Sequence, residues 1–419
     1  MATDIKVQFF SHLNGINLGN NWGDLIRMLD TCLVNGLPFT SVTAASIDAN
    51  GDINLTFFAA HNAVLFQIVE LSGFSPSNIN GKYRIKGLPT STQMILKAEL
   101  SGKSITANGS AKLAALGYDI IFRDTNDVKR VYRAKNPSSL HPFIRVDESI
   151  SDGTNSYNSA YAKFAMVGLL ENMSHINDYE DPNKLQLPLD TSNFKRNWQI
   201  TGTGTTVVRG WSRWYWARNS NVYNGSADQA APSEGNIQFT FCGDEDAFYF
   251  IRPYTPTINR KVISGCGIFN AALDSSIVSN WFLMTTYNAA NASFGQDFSS
   301  GIQGGLPLAL NENTSCFLTT KYTVNARIAN TDIAKPIVFN YASGGGAFNS
   351  SQVAALEIPF RDNSGFLRGT LKHVLYSGNS RGGINTTPLI SDTSMYVTDS
   401  ILAIDFNPGG LYFYLGELE

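Results

Sequence analysis

The stretch RGWSRWYWARN, residues 209–219, places three arginines, three tryptophans and a tyrosine in eleven positions. Rings interleaved with guanidinium groups suit stacking on bases or sugars, because every base offers a π-face and every phosphate a charge. The same residues also describe a single amphipathic strand. With a period of two, Arg209, Trp211, Arg213 and Tyr215 share one face while Trp214 and Trp216 share the other. The first set is a candidate interface or ligand surface on a partly solvated face, and the second is candidate core. Two acidic clusters add oxygen ligands of the kind hard cations take: Asp178, Glu180 and Asp181 in INDYEDP, and Asp244, Glu245 and Asp246 in CGDEDAF. Neither has the spacing of a calcium loop, and a tight hairpin turn between two apolar runs explains the second. Carboxylate pairs also serve glycoside hydrolysis, but no motif here fixes their separation.

The remaining chemistry is sparse. His12, His61, His141, His175 and His373 stand singly, with no nucleophile and acid at a recognisable spacing, so each reads as structural. GTGTTVV lacks the Gly-Lys-Ser/Thr ending of a phosphate loop. Cys32, Cys242, Cys266 and Cys316 form no close pair, which argues against zinc and for buried reduced thiols. No catalytic residue, no metal and no cofactor is therefore expected, and the chain reads as a non-enzyme. With 31 Lys plus Arg against 34 Asp plus Glu, the net charge of -3 gives no field to draw it to a nucleic acid or a membrane. The N-terminus lacks a secretory pattern, and no run of eighteen apolar residues suggests a membrane helix, so a soluble protein made in a cytoplasm is expected.

These residues need elements to hold them. In NNWGDLIRMLDTCLVNGL, Trp22, Leu25, Ile26, Leu29, Cys32 and Leu33 recur at helical spacing, with Asn21 as the expected cap and Gly36 as the stop. The period then changes to two. FTSVTAASI, INLTFFA, AVLFQIVEL, KYRIKGLP, QMILKAEL, GYDIIFRD and KRVYRA read as strands divided by turn compositions. KNPSSLHP, polar and with two prolines, reads as a linker. About fourteen further strands follow between long Gly-, Asn- and Ser-rich loops. The expected fold is mainly β: an N-terminal helix plus a small β-sandwich or barrel over residues 1–135, then a larger antiparallel β-sandwich over 136–419.

The order NWGDLIRMLDTCLVNG, NGKYRIKGLPTSTQMIL, AKLAALGYDIIFRDTNDVKRVYRA, FIRVDES, YAKFAMVGLLENMSHIND and GDEDAFYF resembles a family of tailed-bacteriophage virion structural proteins over most of the first 260 residues. Gly117, Asn126, Tyr132, Arg133, Arg145, Val146, Asp147, Gly168, Glu171, Met173, Gly243, Asp244, Phe248 and Tyr249 occupy that family's characteristic positions. Glu148 departs from it, standing where a second aspartate is usual, and Glu245 and Asp246 replace its xR. The resemblance implies assembly rather than catalysis: a tail or baseplate adaptor in the virion, made in the host cytoplasm, whose partners are copies of itself and other virion proteins. A capsid decoration protein is one alternative. Another is a carbohydrate-binding module of the tail, with a host-surface glycan as partner and RGWSRWYWARN as its surface.

Overall fold

Period-two alternation becomes antiparallel sheet along the chain, and the fold is mainly β. The computed structural model describes residues 3–149, 162–189, 200–201, 208–209, 212–217, 236–253, 261–276, 278–287, 307–308, 317–322, 330–338, 355–377, 386–402 and 408–418. Among these, four seven-stranded sheets and one two-stranded pair account for the strands.

One sheet is a middle layer. Its order is Gln8–Ser11, Thr240–Gly243, Ala247–Pro253, Lys261–Ile268, Trp281–Met284, Phe317–Thr320 and Thr331–Ile333. Alternation assigns its side chains to two separate cores. Phe10, Phe241, Phe248, Phe250, Cys266 and Leu283 join one core. Their sequence neighbours Phe9, Cys242, Tyr249, Ile251 and Phe282 join the other. A sheet covered on both faces needs largely apolar residues at successive positions, which is why AFYFI carries no charged residue and its tyrosine hydroxyl is spent on Lys372 O.

The first core is closed by two further sheets and the helix. An N-terminal sheet runs Leu37–Pro38, Ser110–Leu113, Ile68–Ser72, Gly81–Thr90, Gln93–Leu96, Ile53–Phe57 and Val42–Ile47. An aromatic sheet runs Thr286–Tyr287, Ser212–Ala217, Lys163–Leu170, Phe143–Asp147, Lys129–Ala134 and Tyr118–Arg123, with Gln186–Leu187 beside Lys163–Leu170. The second core lies against a C-terminal sheet of Lys335–Pro336, Leu356–Arg361, Leu367–Ser377, Pro408–Glu417, Ser394–Leu402 and Thr387–Ser391, with Asn270–Ala271 attached to Leu367–Ser377.

The expected division at 135/136 does not separate two folding units. Tyr132 pairs with Ile144 across it, in one sheet, and Gln8–Ser11 pairs with Thr240–Gly243. KNPSSLHP is a connection between adjacent strands, because turns and linkers share the same polar, proline-bearing composition. The strands expected for the first unit are likewise divided, five into the N-terminal sheet and two into the aromatic sheet.

The helix is shorter than its apolar period predicts. An α-helix spans Asp24–Leu29 and passes into a π-helical turn, Asp30–Asn35, that ends at Gly36, where Gly36 N donates to Thr31 O at 2.8 Å. Asn21 is not the cap. Gly23 holds that position at φ +88°, and the buried Glu148 supplies the acceptors: Gly23 N donates to one carboxylate oxygen and Ile26 N to the other, at 2.6 Å for the latter. Burial, opposed by those two donors, pushes the Glu148 carboxyl up to about 8. Asp30 then fastens the helix to the aromatic sheet, taking the Tyr132 hydroxyl at 2.7 Å and the Arg130 guanidinium at 3.1 Å.

A second buried charge ties the layers together. Arg84, on Gly81–Thr90, donates to the carbonyls of Asp4, Val7, Phe66 and Leu415 at 2.7–3.0 Å. A guanidinium carries five donors in a planar fork, and here they reach the N-terminal segment, the turn before Ile68–Ser72 and the last strand at once. Burial holds this arginine down at about 10.

Candidate functional site

The aromatic strand is not a solvated platform. Ser212–Ala217 lies inside its sheet, between Lys163–Leu170 and Thr286–Tyr287. Trp214 and Trp216 enter the first core, as the alternation predicts. The opposite face is also covered: Arg213 is 3% exposed and Tyr215 0%. Tyr215 packs with Phe164, Met166 and Ala162, and Trp22 closes over them. The Arg213 guanidinium sits 5.0 Å above the Phe164 ring and donates to the Tyr215 hydroxyl at 3.1 Å. Alternation separates two faces without saying that either is wet, and long-range neighbours buried both. Of the other two, Arg209 has its backbone in the short strand Val208–Arg209, paired with Ile200, while its side chain and Trp211 lie outside the described residues.

The acidic residues of CGDEDAF gather charged partners from several elements. Thr240–Gly243 and Ala247–Pro253 pair as a hairpin, so the expected turn is present. Gly243 is required by close approach, since a Cβ there would lie 2.1 Å from Ala247 O. Asp244 Oδ1 shapes the turn by accepting from Asp246 N at 2.9 Å and Ala247 N at 3.1 Å. Its other oxygen lies 2.8 Å from His373 Nε2, close enough for an ion pair but out of line for a hydrogen bond, so that nitrogen has no hydrogen-bond partner. Asp246 takes His141 Nε2 at 2.8 Å on one oxygen and the Lys372 ammonium on the other.

These partners arrive from distant elements. His141 belongs to the connection 135–142, which is anchored by Trp281 Nε1 donating to Leu140 O at 2.8 Å. Lys372 and His373 lie where the pairing of Leu367–Ser377 with Leu356–Arg361 shifts register between Glu357 and Pro359. His373 adopts φ +62° there, a conformation that is strained for a residue with a side chain.

Around the hairpin lies a cleft of about 530 Å3, rimmed by Lys6, Lys82, Lys135, Asn136, Gly117 and Glu245. Asp246 lines this cleft, and its partners His141 and Lys372 lie behind the lining. His141 Nδ1 accepts from Ser138 N at 2.8 Å, which leaves the ring proton on Nε2, directed at Asp246. With Nδ1 occupied by a backbone N–H, this imidazole has no free acceptor to take a substrate proton. The His141 hydrogen bond, with Lys372 beside it, holds the Asp246 carboxyl well below its ordinary range against partial burial. The arrangement staples the middle sheet to the C-terminal sheet and to the 135–142 connection.

The second acidic cluster is a local turn. Asp178 accepts from His175 N at 2.9 Å and pairs with Lys184 at 2.8 Å. Burial raises its carboxyl, but Lys184 and the backbone donors outweigh that and hold it well below the usual range. Among the described residues no group of three or more His, Cys, Asp or Glu could hold a metal ion. Cys32, Cys242 and Cys266 are buried free thiols, which burial pushes up; Cys316 lies outside the described residues. His61 also turns to backbone, with Nδ1 accepting from Ala63 N at 3.0 Å. Among the described residues no helix is long and apolar enough to cross a membrane.

Sequence reasoning found the acids of the cleft but not their partners. His141 and Asp246 are separated by 105 positions, and nothing in the local sequence of His373 marks its positive φ. No protein-family model matches the sequence, and no curated protein matches it.

Proposed function

We propose that this protein is a structural subunit of a tailed-bacteriophage particle: an adaptor of the tail or baseplate that binds copies of itself and other virion proteins, without catalytic activity. The observation that carries this reading is the place of the residues on which the family resemblance rests. Tyr132 joins its sheet to the helix through Asp30. Arg133 stacks over Phe143 at 4.3 Å. Arg145 pairs with Asp147 at 3.0 Å and stacks over Tyr179 at 4.1 Å, and Asp244 shapes the hairpin. Each of these contacts joins or shapes elements of the frame. A pattern borne by frame residues transfers an architecture, and the architecture of stacked antiparallel sheets suits a particle component that buries large faces against neighbours.

Mass spectrometry of purified particles tests the reading: the chain should be present in amounts comparable to other structural subunits, and its absence would overturn the proposal. Electron cryomicroscopy of the same particles separates the alternatives. Density at the tail end supports the adaptor, whereas density on the capsid surface replaces it with a decoration protein. The carbohydrate-binding alternative has lost Arg213 and Tyr215 to the interior and now rests on Arg209 and Trp211. Glycan-array binding that disappears in Trp211→Ala would restore it.

A further inference from the structure

Strand edges are where a β-protein meets other chains, because each exposes a row of unpaired N–H and C=O groups. Most edges among the described strands carry a device that blocks such pairing. Leu37–Pro38 and Lys335–Pro336 are two residues long and carry proline. Thr387–Ser391 contains Pro388, Tyr118–Arg123 carries Asp119 and Arg123, and Thr331–Ile333 carries Asp332. Thr286–Tyr287, Ile200–Thr201 and Val208–Arg209 are two residues long, and Gln8–Ser11 is buried throughout.

Val42–Ile47 is different. It closes one side of the N-terminal sheet, with six residues, VTAASI, that include neither charge nor proline, and Thr43, Ala44 and Ser46 are exposed. Among the described strands it pairs only with Ile53–Phe57. Phe58, 77% exposed and the most exposed large apolar side chain among the described residues, lies beside it, donating from its backbone N to Ser41 O at 3.0 Å.

The ladder shows which groups point outward. Asp48 N donates to Asp52 O at 3.0 Å, and the register pairs Ala44 with Thr56 and Ser46 with Asn54. In an antiparallel ladder bonded pairs alternate, so Ala44 and Ser46 bond inward while the N–H and C=O of Ala45 and Ile47 face away from the sheet.

We propose that Val42–Ile47 is a self-pairing edge, on which a second copy of this chain adds its own Val42–Ile47 strand antiparallel about a two-fold axis through Ala45. A two-fold perpendicular to a continuous sheet keeps each face on its own side, so paired positions must share a face. Centring on Ala45 satisfies this condition where the strand is regular: Ala45 meets Ala45 of the second copy in a bonded pair and Ala44 meets Ser46, while Ile47 falls opposite Thr43, where the pairing shifts register between Val42 and Ala44. It also sets Asp48 opposite Val42 of the second copy, so no like charges oppose across the junction. The inference deepens the self-association in the proposed function, and it fails separately: particle composition tests that reading, whereas the solution state of the purified chain tests this edge.

The experiment is sedimentation of the full chain at micromolar concentrations, wild type beside Ala45→Pro and Ala45→Cys. Proline removes an N–H that faces away from the sheet, a position where an edge strand tolerates it. The expected result is a wild-type dimer and an Ala45→Pro monomer with an unchanged circular dichroism spectrum. A bonded antiparallel pair sets its Cα atoms about 5.5 Å apart, within disulfide reach, so Ala45→Cys should form a linked dimer under mild oxidation. This variant decides the matter if the proline variant does not fold. A monomeric wild type, a dimer indifferent to Ala45→Pro, or an Ala45→Cys dimer that does not cross-link overturns the proposal. So does a wild-type chain that pairs at this edge only with a different protein.

Discussion

Arg84 shows how a single side chain can hold several layers. Its donors end on backbone carbonyls of four residues, so removing it leaves buried acceptors without partners. Arg84→Met should cost roughly 3 kcal/mol or more, read as a lower midpoint in urea with an unchanged slope. Glu148 makes a different prediction, about pH. Its carboxyl is raised in the folded protein, so the folded state holds a proton that the unfolded chain has released. The contribution to stability is complete below the ordinary carboxylate range and is lost as pH rises through about 8. Glu148→Gln should flatten that slope in melting temperatures measured from pH 5 to 9, while keeping an acceptor for the helix start. Neither role was legible beforehand. Arg84 is one basic residue in an alternating run, and Glu148 is a departure from a family pattern whose partner lies more than a hundred positions away.

At the scale of elements, alternation was informative and termini were not. The seven runs expected before residue 135 all appear as strands, because period-two patterning reflects a side-chain geometry that holds wherever the strand packs. Leu37–Pro38, Gln8–Ser11 and Ser110–Leu113 were not expected. The helix kept its apolar face, with Leu25, Ile26, Leu29, Cys32 and Leu33 all buried in the first core. Its start moved from Asn21 because a cap from elsewhere in the chain outcompeted the local candidate. Leu29→Asp should therefore cost roughly 4 kcal/mol and lower the thermal midpoint sharply. An unchanged midpoint would show that this face is not packed as described. The aromatic strand carries the opposite lesson. Trp214 and Trp216 face the first core as alternation predicts, while Arg213 and Tyr215 face away from it and are buried too, so whether a face is wet depends on the sheet around it.

The whole molecule is divided by sheets and not by chain position. Expressed alone, residues 1–135 would lose the strands that pair with Gln8–Ser11 and with Lys129–Ala134, so this fragment should give the poorly dispersed amide spectrum of an unfolded chain. A dispersed spectrum would re-establish the boundary that the polar, proline-bearing connection suggested. The middle sheet has a kinetic counterpart to its position. Ala247–Pro253 has hydrogen-bonded neighbours on both sides and a core against each face, so no local fluctuation brings solvent to its amides. In native-state hydrogen exchange its protons should be the last to be replaced by deuterium, at a rate set by global opening, while those of Val42–Ile47 exchange early unless an added strand protects them.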